Sequence, residues 1–151
     1  MKFKLILLCV LCSLPFLANA SAGTRYEACF DTAAQKFGLD KTLLKAIAHT
    51  ESRFNEYAIS PPNANGTYDI GIMQINSSWL PTLSKYGISR EKLQSPCANI
   101  HVGAWVLANN ISTFGKTWRA VGAYNSPTGY YQVRYVKKVQ QSYAMLSNQG
   151  E

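Results

Sequence analysis

The strongest constraint on what this chain can fold into lies in its first twenty residues, which read as a segment lost before the rest folds. Lys2 and Lys4 precede an apolar run from Leu5 to Leu17, and Ala18-Asn19-Ala20 follows. A charged start, a short hydrophobic centre and small residues for a peptidase make the pattern of a secretory signal. The run is about 13 residues, against the roughly 20 that span a bilayer. Large Leu and Val residues precede Cys9 and Cys12, where a lipid-modified cysteine would follow small ones. Residues 1–20 are therefore expected to leave, and residues 21–151 to form one domain around one core outside the cytosol.

Export sets the cysteine and charge arithmetic. Cys9 and Cys12 go with the signal, which leaves Cys29 and Cys97. Two cysteines in an oxidising compartment most simply form one disulfide. Closing a loop of about 69 residues contributes roughly 4 kcal/mol in the chain-entropy model. Two lysines also leave, so 13 basic residues face 8 acidic ones, a formal charge of +5. That balance suits an anionic partner such as a cell wall or membrane surface, and equally plain solubility. Nucleic acid is disfavoured by the export signal and by the scatter of the basic residues, of which only Lys137 and Lys138 are adjacent.

The remainder reads as mainly α. A helix over Arg25–Phe37, with Ala28, Cys29, Ala33 and Phe37 near one face, ends at Gly38. Asp40 caps a second helix through Leu43, Leu44, Ile47 and Ala48 toward Ser52. Ser95-Pro96 opens a third, where Ile100, Ala104, Leu107, Ile111 and Phe114 recur at spacings of three and four up to Gly115. A last helix over Tyr130–Leu146 places Val133, Val136, Val139, Tyr143 and Leu146 on its stripe. The only strand-like stretch follows the second helix. There the Asn65-Gly66 turn signal and the mixed run Thr67–Ile75 predict a loop or short hairpin over 58–75.

Among the eight carboxylates of the mature chain, Glu51 stands apart. At about 100° per residue it falls in the middle of the arc marked by Leu43, Leu44, Ile47 and Ala48. A carboxyl on the buried stripe of a helix is desolvated and holds its proton to higher pH, as a general acid must. Position alone leaves a second reading open, a buried Glu neutralised by Arg53 or a tyrosine hydroxyl. Asp69 follows 18 residues later in the strand-like stretch, where a hairpin can fold it back across a cleft. Two carboxylates in unlike surroundings are the equipment of a glycosidase, although Asp69 equally suits a turn-bracing role. His49 falls opposite Glu51 and reads as a solvated surface histidine, and His101 sits on another helix. No His-Glu-x-x-His run, nucleophile elbow or phosphate-cradling glycine loop is present.

Four segments in order now resemble one family. They are Glu51-Ser52-Arg53-Phe54-Asn55 with Ser60, Gly71-Ile72-Met73-Gln74-Ile75-Asn76, Asn99-Ile100 with Gly103 and Leu107, and Ala123-Tyr124-Asn125. This series resembles that of the soluble lytic transglycosylases over roughly residues 25–146. The small size and the signal are most similar to the specialised members that accompany type III or type IV secretion systems. The resemblance implies a single lysozyme-like helical domain with a short β-hairpin or loop lining a glycan cleft. It implies a periplasmic, monomeric enzyme that cleaves the N-acetylmuramic acid to N-acetylglucosamine bond of peptidoglycan glycan strands and leaves a 1,6-anhydro end. Glu51 would be the acid and then the base. Ser60, Met73, Gln74, Tyr124 and Asn125 would face the substrate, with Tyr124 near Glu51. No metal or cofactor is implied, and a component of a secretion apparatus is an expected partner.

Asp69 departs from the pattern, since many members have no carboxylate just ahead of the Gly-x-Met-Gln segment. It keeps a muramidase reading alive, in which Glu51 and Asp69 hydrolyse the same bond. A wall-docking protein with incidental catalysis is the reading of another class. Trp79, Trp105 and Trp118 are expected in core packing more than as sugar platforms.

Overall fold

A computed structural model describes residues 25–148. The export signal expected at residues 1–20 lies outside them. Two helices open the chain, α1 (Glu27–Phe37) and α2 (Lys41–Ser52). A two-stranded hairpin follows, β1 (Asp69–Ile70) and β2 (Ile75–Asn76), then a single 3₁₀ turn at Ser77–Trp79. Five helices complete it: α3 (Leu80–Ser84), α4 (Arg90–Leu93), α5 (Pro96–Phe114), α6 (Trp118–Asn125) and α7 (Gly129–Ser147). The expected mainly helical architecture is what forms.

Local chemistry sets the boundaries. Gly38 ends α1 in the left-handed region (φ 63°), which lacks a Cβ penalty only for glycine. Asp40 accepts from the Leu43 N–H at 3.1 Å, which satisfies one orphan donor of α2. Pro96 occupies the first turn of α5, where its missing N–H is not needed, and Ser95 precedes it without a side-chain cap.

One core unites these elements. Phe30, Ala33 and Ala34 of α1, Leu44, Ile47 and Ala48 of α2, and Ile100, Ala104 and Leu107 of α5 are buried in it. Ile70, Ile72, Met73 and Ile75 of the hairpin join them, as do Val121 and Val139. The central helix α5 touches α1, α6 and β2, while α7 lies along α2. Cys29 and Cys97 are bonded, with 5.1 Å between their Cα atoms, and tie α1 to the first turn of α5. Among the described residues no helix is long and apolar enough to cross a membrane.

Three local expectations need correction. On α1, Ala33 is buried and Cys29 and Phe37 pack on the core as expected, but Ala28 is exposed and Phe30 and Ala34 are buried beside them. On α7, Val133 is 59% exposed and Tyr135 is buried in its place. His49 is not solvated. α7 packs along α2, so the His49 Nδ1 lies 2.9 Å from the Ser142 Oγ, and the His49 ring packs on Phe54 at 5.6 Å. Burial, and then the Arg53 charge, hold His49 below the ordinary histidine range.

Candidate active site

The site begins with the end of α2. Arg53 leaves the helix in the left-handed region (φ 54°) and its N–H returns to the His49 carbonyl, so Glu51 and Ser52 occupy the last full turn. The Ser52 hydroxyl donates to the Ile72 carbonyl at 2.8 Å, fastening this turn to the hairpin loop. That loop is the tight turn Gly71–Gln74, closed by the Gln74 N–H on the Gly71 carbonyl at 3.0 Å. The Asn65-Gly66 signal forms a different, outer turn, in which the Gly66 N–H reaches the Asn63 carbonyl at 2.8 Å. The hairpin register pairs Asp69 with Asn76 and Ile70 with Ile75.

Asn99, fully buried on α5, holds the hairpin from below. Its Oδ1 accepts from the Met73 N–H at 2.8 Å, and its Nδ2 donates to the Ile70 and Leu93 carbonyls, each at 2.9 Å. Gly71 must remain glycine for two reasons. Its φ is 75°, and a Cβ there would stand 2.6 Å from the Asn99 Nδ2. Gly103 serves likewise beneath Met73 and Tyr124, whose atoms a Cβ would meet at 2.7 and 2.9 Å. The recurring glycines and asparagine of the sequence motifs thus act as spacers and clamps.

Above this floor opens a cavity of about 820 Å³. Glu51, Asp69, Gln74, Tyr124 and Asn125 line it, together with Trp79 and a rim of amides and hydroxyls from Asn63, Asn65, Thr67, Asn76 and Ser126. Amide-rich walls with the aromatic side chains of Trp79 and Tyr124 suit a polar, ring-shaped ligand such as a sugar. Trp79, expected in core packing, is half-buried against Trp105 (5.1 Å between ring centroids) while also facing the cavity.

Glu51 and Asp69 share this cavity in unlike settings. Burial of the Glu51 carboxyl raises its pKa to about 7. A hydrogen bond from Tyr135 and the Lys138 charge pull the other way, while the Asp69 charge adds to the rise. Asp69 instead accepts from the Asn76 Nδ2 at 2.7 Å and the Ser60 hydroxyl at 3.3 Å. These donors keep its carboxylate solvated by the protein at the cavity wall.

The tyrosine that touches Glu51 escaped the sequence reading. The Tyr135 hydroxyl donates to the Glu51 Oε1 at 2.6 Å. Tyr124, expected near the glutamate, lines the same cavity but donates to the Met73 carbonyl at 2.9 Å. Enclosure, and then the Glu51 charge, push both phenols well above the ordinary tyrosine range, so both stay neutral donors. The spacing Tyr135, Val139, Ser142 (four, then three) is the signal that points to the buried side of α7.

Two other expected substrate contacts sit elsewhere. The Met73 side chain is fully buried against Gly103 beneath the floor and does not line the cavity, while its backbone carbonyl accepts from Tyr124. Ser60 is not among the cavity's lining residues. Its hydroxyl accepts from the Asp69 N–H at 2.8 Å and braces that residue. Gln74 does line the cavity, but its amide nitrogen is committed to the Ala58 and Gly71 carbonyls.

Comparison with known proteins places this arrangement. Residues 28–145 match the model of the transglycosylase SLT domain. Protein IpgF of Shigella sonnei is 35% identical, over 99% of this chain and 95% of that protein. The invasion protein IagB of Salmonella typhimurium is 39% identical, over 83% of this chain and 81% of its own length. An inactive mutant of the lytic transglycosylase Slt from Pseudomonas aeruginosa shares the fold, with a TM-score of 0.67 at 24% identity. That likeness covers 82% of this chain, which spans about a quarter (24%) of the Slt chain. With the family model matched over most of its length, and relatives matched nearly end to end, this chain belongs to the transglycosylase SLT domain family.

Proposed function

We propose that the protein is an exported, periplasmic enzyme that cuts the N-acetylmuramic acid to N-acetylglucosamine bond of peptidoglycan without consuming water. The observation that carries this reading is the Glu51 carboxyl, which holds its proton to about pH 7 at the floor of the polar cavity. Protonated Glu51 gives its proton to the bridging oxygen as the bond from the muramic C1 breaks. The resulting carboxylate then takes the proton of the muramic 6-hydroxyl, whose oxygen closes on C1, so the glutamic acid is regenerated and a 1,6-anhydro end is left. The neutral Tyr135 hydroxyl steadies the carboxylate between these two roles. Asp69 lies in the same cavity and assists as a negative charge facing the cationic sugar. Gln74, Tyr124 and Asn125 hold the strand, while Met73 and Ser60 act from behind through Tyr124 and Asp69.

A glutamate-to-glutamine exchange is the mutation in the inactive Pseudomonas Slt, which supports Glu51 as the acid. The similarity to an invasion protein supports a role in opening the wall locally for a secretion apparatus. Mass analysis of muropeptides released from purified sacculi tests the chemistry. Products lighter by one water than the hydrolysed disaccharide are expected. Reducing-end muramic acid as the main product would instead establish a muramidase. The cellular role is tested by deleting the gene and measuring secretion with wild-type and Glu51→Gln copies restored, of which only the wild type should rescue.

A further inference from the structure

Tyr135 meets Glu51 because of where α7 lies along α2, and the seam between the two helices holds a second polar side chain. Ser142 is 7% exposed and follows Tyr135 on the buried side of α7. At about 100° and 1.5 Å per residue it stands two turns on, on the same face and roughly 10.5 Å away. Val139, fully buried, lies between them. Its aliphatic contact is non-directional and fixes no position along the helix.

The donors and acceptors around Ser142 resolve into one order. Thr50 commits its hydroxyl proton to the Ala46 carbonyl at 2.8 Å. The Ser142 Oγ lies 3.1 Å from the Thr50 Oγ1, so the Ser142 proton fills that contact. The His49 Nδ1, 2.9 Å from the Ser142 Oγ, is then the donor to it. A single chain results, from His49 through Ser142 and Thr50 to the α2 backbone. It assigns the histidine proton to Nδ1, which an imidazolium also carries, so protonation at Nε2 leaves the chain whole. Another bond between the helices, from Tyr143 to Asp40 at 2.8 Å, is exposed to solvent and constrains α7 less. His49, Thr50 and Ser142 are not among the residues lining the Glu51 cavity, so they act on the reaction through the seam.

We propose that Ser142 is a positioning residue for the reaction. Its chain to His49 and Thr50 fixes the register of α7 on α2 and so holds the Tyr135 hydroxyl 2.6 Å from Glu51. One polar group in an apolar helix seam specifies register in this way. A displacement of about 1 Å is enough to carry an O–H···O contact out of its range of roughly 2.5–3.0 Å. The inference rests on the reading of Glu51 as the acid. Beyond burial, the groups that face Glu51 are Tyr135 and Lys138 from α7, Asp69 from the hairpin and Tyr124 from α6. The bond from Tyr135 favours the carboxylate, so the Glu51 proton registers any movement of that phenol.

The test follows the Glu51 proton in Ser142→Ala, in Thr50→Val, and in Ser142→Ala combined with Tyr135→Phe, each checked for folding by circular dichroism. Ser142→Ala removes the middle of the chain, and Thr50→Val breaks it from α2 with almost the same shape. Each should raise the Glu51 midpoint, read from its ¹³C carboxyl resonance, by about 0.5 pH unit. The alkaline limb of kcat/KM should move up with it. A merely structural role would lower the melting temperature and leave both in place. With Tyr135→Phe already present, Ser142→Ala should add no further shift. An unmoved midpoint in the folded single variants, or a full second shift on top of Tyr135→Phe, overturns the positioning role. Should Ser142→Ala not fold, Thr50→Val alone decides. The resonance is read without substrate, so it judges Ser142 even if Glu51→Gln still cuts glycan strands, the result that overturns the acid.

Discussion

The end of α2 and the β1–β2 hairpin each bring one carboxylate to the same cavity, and they treat it in opposite ways. The α2 side is helix against helix. There Glu51 is enclosed by apolar packing and meets a single hydroxyl, and its pKa rises to about 7. The hairpin side is short, polar and open, and Asp69 is surrounded by donors from Asn76 and Ser60. The same chemical group is enclosed on one wall and ringed by hydrogen-bond donors on the other. Environment, set by the secondary structure that carries each residue, makes the two settings different.

Glu51→Gln should separate the two walls by the largest effect. The amide keeps the shape and loses the proton, so cleavage should fall by a factor of about 10² or more in a protein whose circular dichroism is unchanged. Stability should move the other way, with a defined pH dependence. Below the ordinary Glu pKa of about 4.5 both folded and unfolded chains hold the proton. Between there and about 7 the unfolded chain releases it while the folded chain keeps it, so wild-type stability falls as pH rises through that window. Removing the group relieves this loss. Glu51→Gln should gain about 2–3 kcal/mol over wild type between pH 5 and pH 8 in urea melts, and an equal offset at both pH values would contradict the enclosed carboxyl.

Asp69→Asn probes the other wall and should have a smaller effect. The amide retains the shape and much of the hydrogen bonding with Asn76 and Ser60 but removes the charge. About a tenfold loss of kcat is expected if the charge steadies the transition state. Wild-type turnover with unchanged muropeptides would leave Asp69 as a brace for the hairpin.

Tyr135→Phe should have the smallest effect and the most specific signature. The phenol favours the charged form of Glu51, so its loss should raise the Glu51 pKa further. The alkaline limb of kcat/KM, which needs protonated Glu51 in the free enzyme, should shift to higher pH with only a few-fold drop in kcat. A shift to lower pH, or none, would show that the hydrogen bond to Glu51 does not set the acid.

The two walls also differ in how far the amino-acid sequence reveals them. α2 was legible down to its Asp40 cap, because an amphipathic helix repeats its instructions every turn, and Glu51 broke that repeat. The hairpin was legible only as a region. Its strands are two residues long, and the obvious Asn65-Gly66 turn folds the outer loop while the working turn is Gly71–Gln74. The short helices α3, α4 and α6 contain too few turns for a stripe to show. Tyr135 stayed hidden for a different reason. Its contact with Glu51 spans 84 residues, and a valine stripe on α7 looked more apolar than the tyrosine that is buried. Periodicity ranks residues by hydrophobicity, and it cannot weigh a phenol whose polar end is satisfied by a partner on another helix.

One carboxyl in this cavity keeps its proton near neutrality because burial encloses it. Selective ¹³C labelling of glutamate side chains, with the Glu51 signal assigned by its loss in Glu51→Gln, allows that proton to be followed directly by NMR. The carboxyl resonance of Glu51 should titrate with a midpoint near pH 7, well above the exposed glutamates of the same molecule. A midpoint near 4.5, together with those exposed groups, would show that burial does not hold the Glu51 proton.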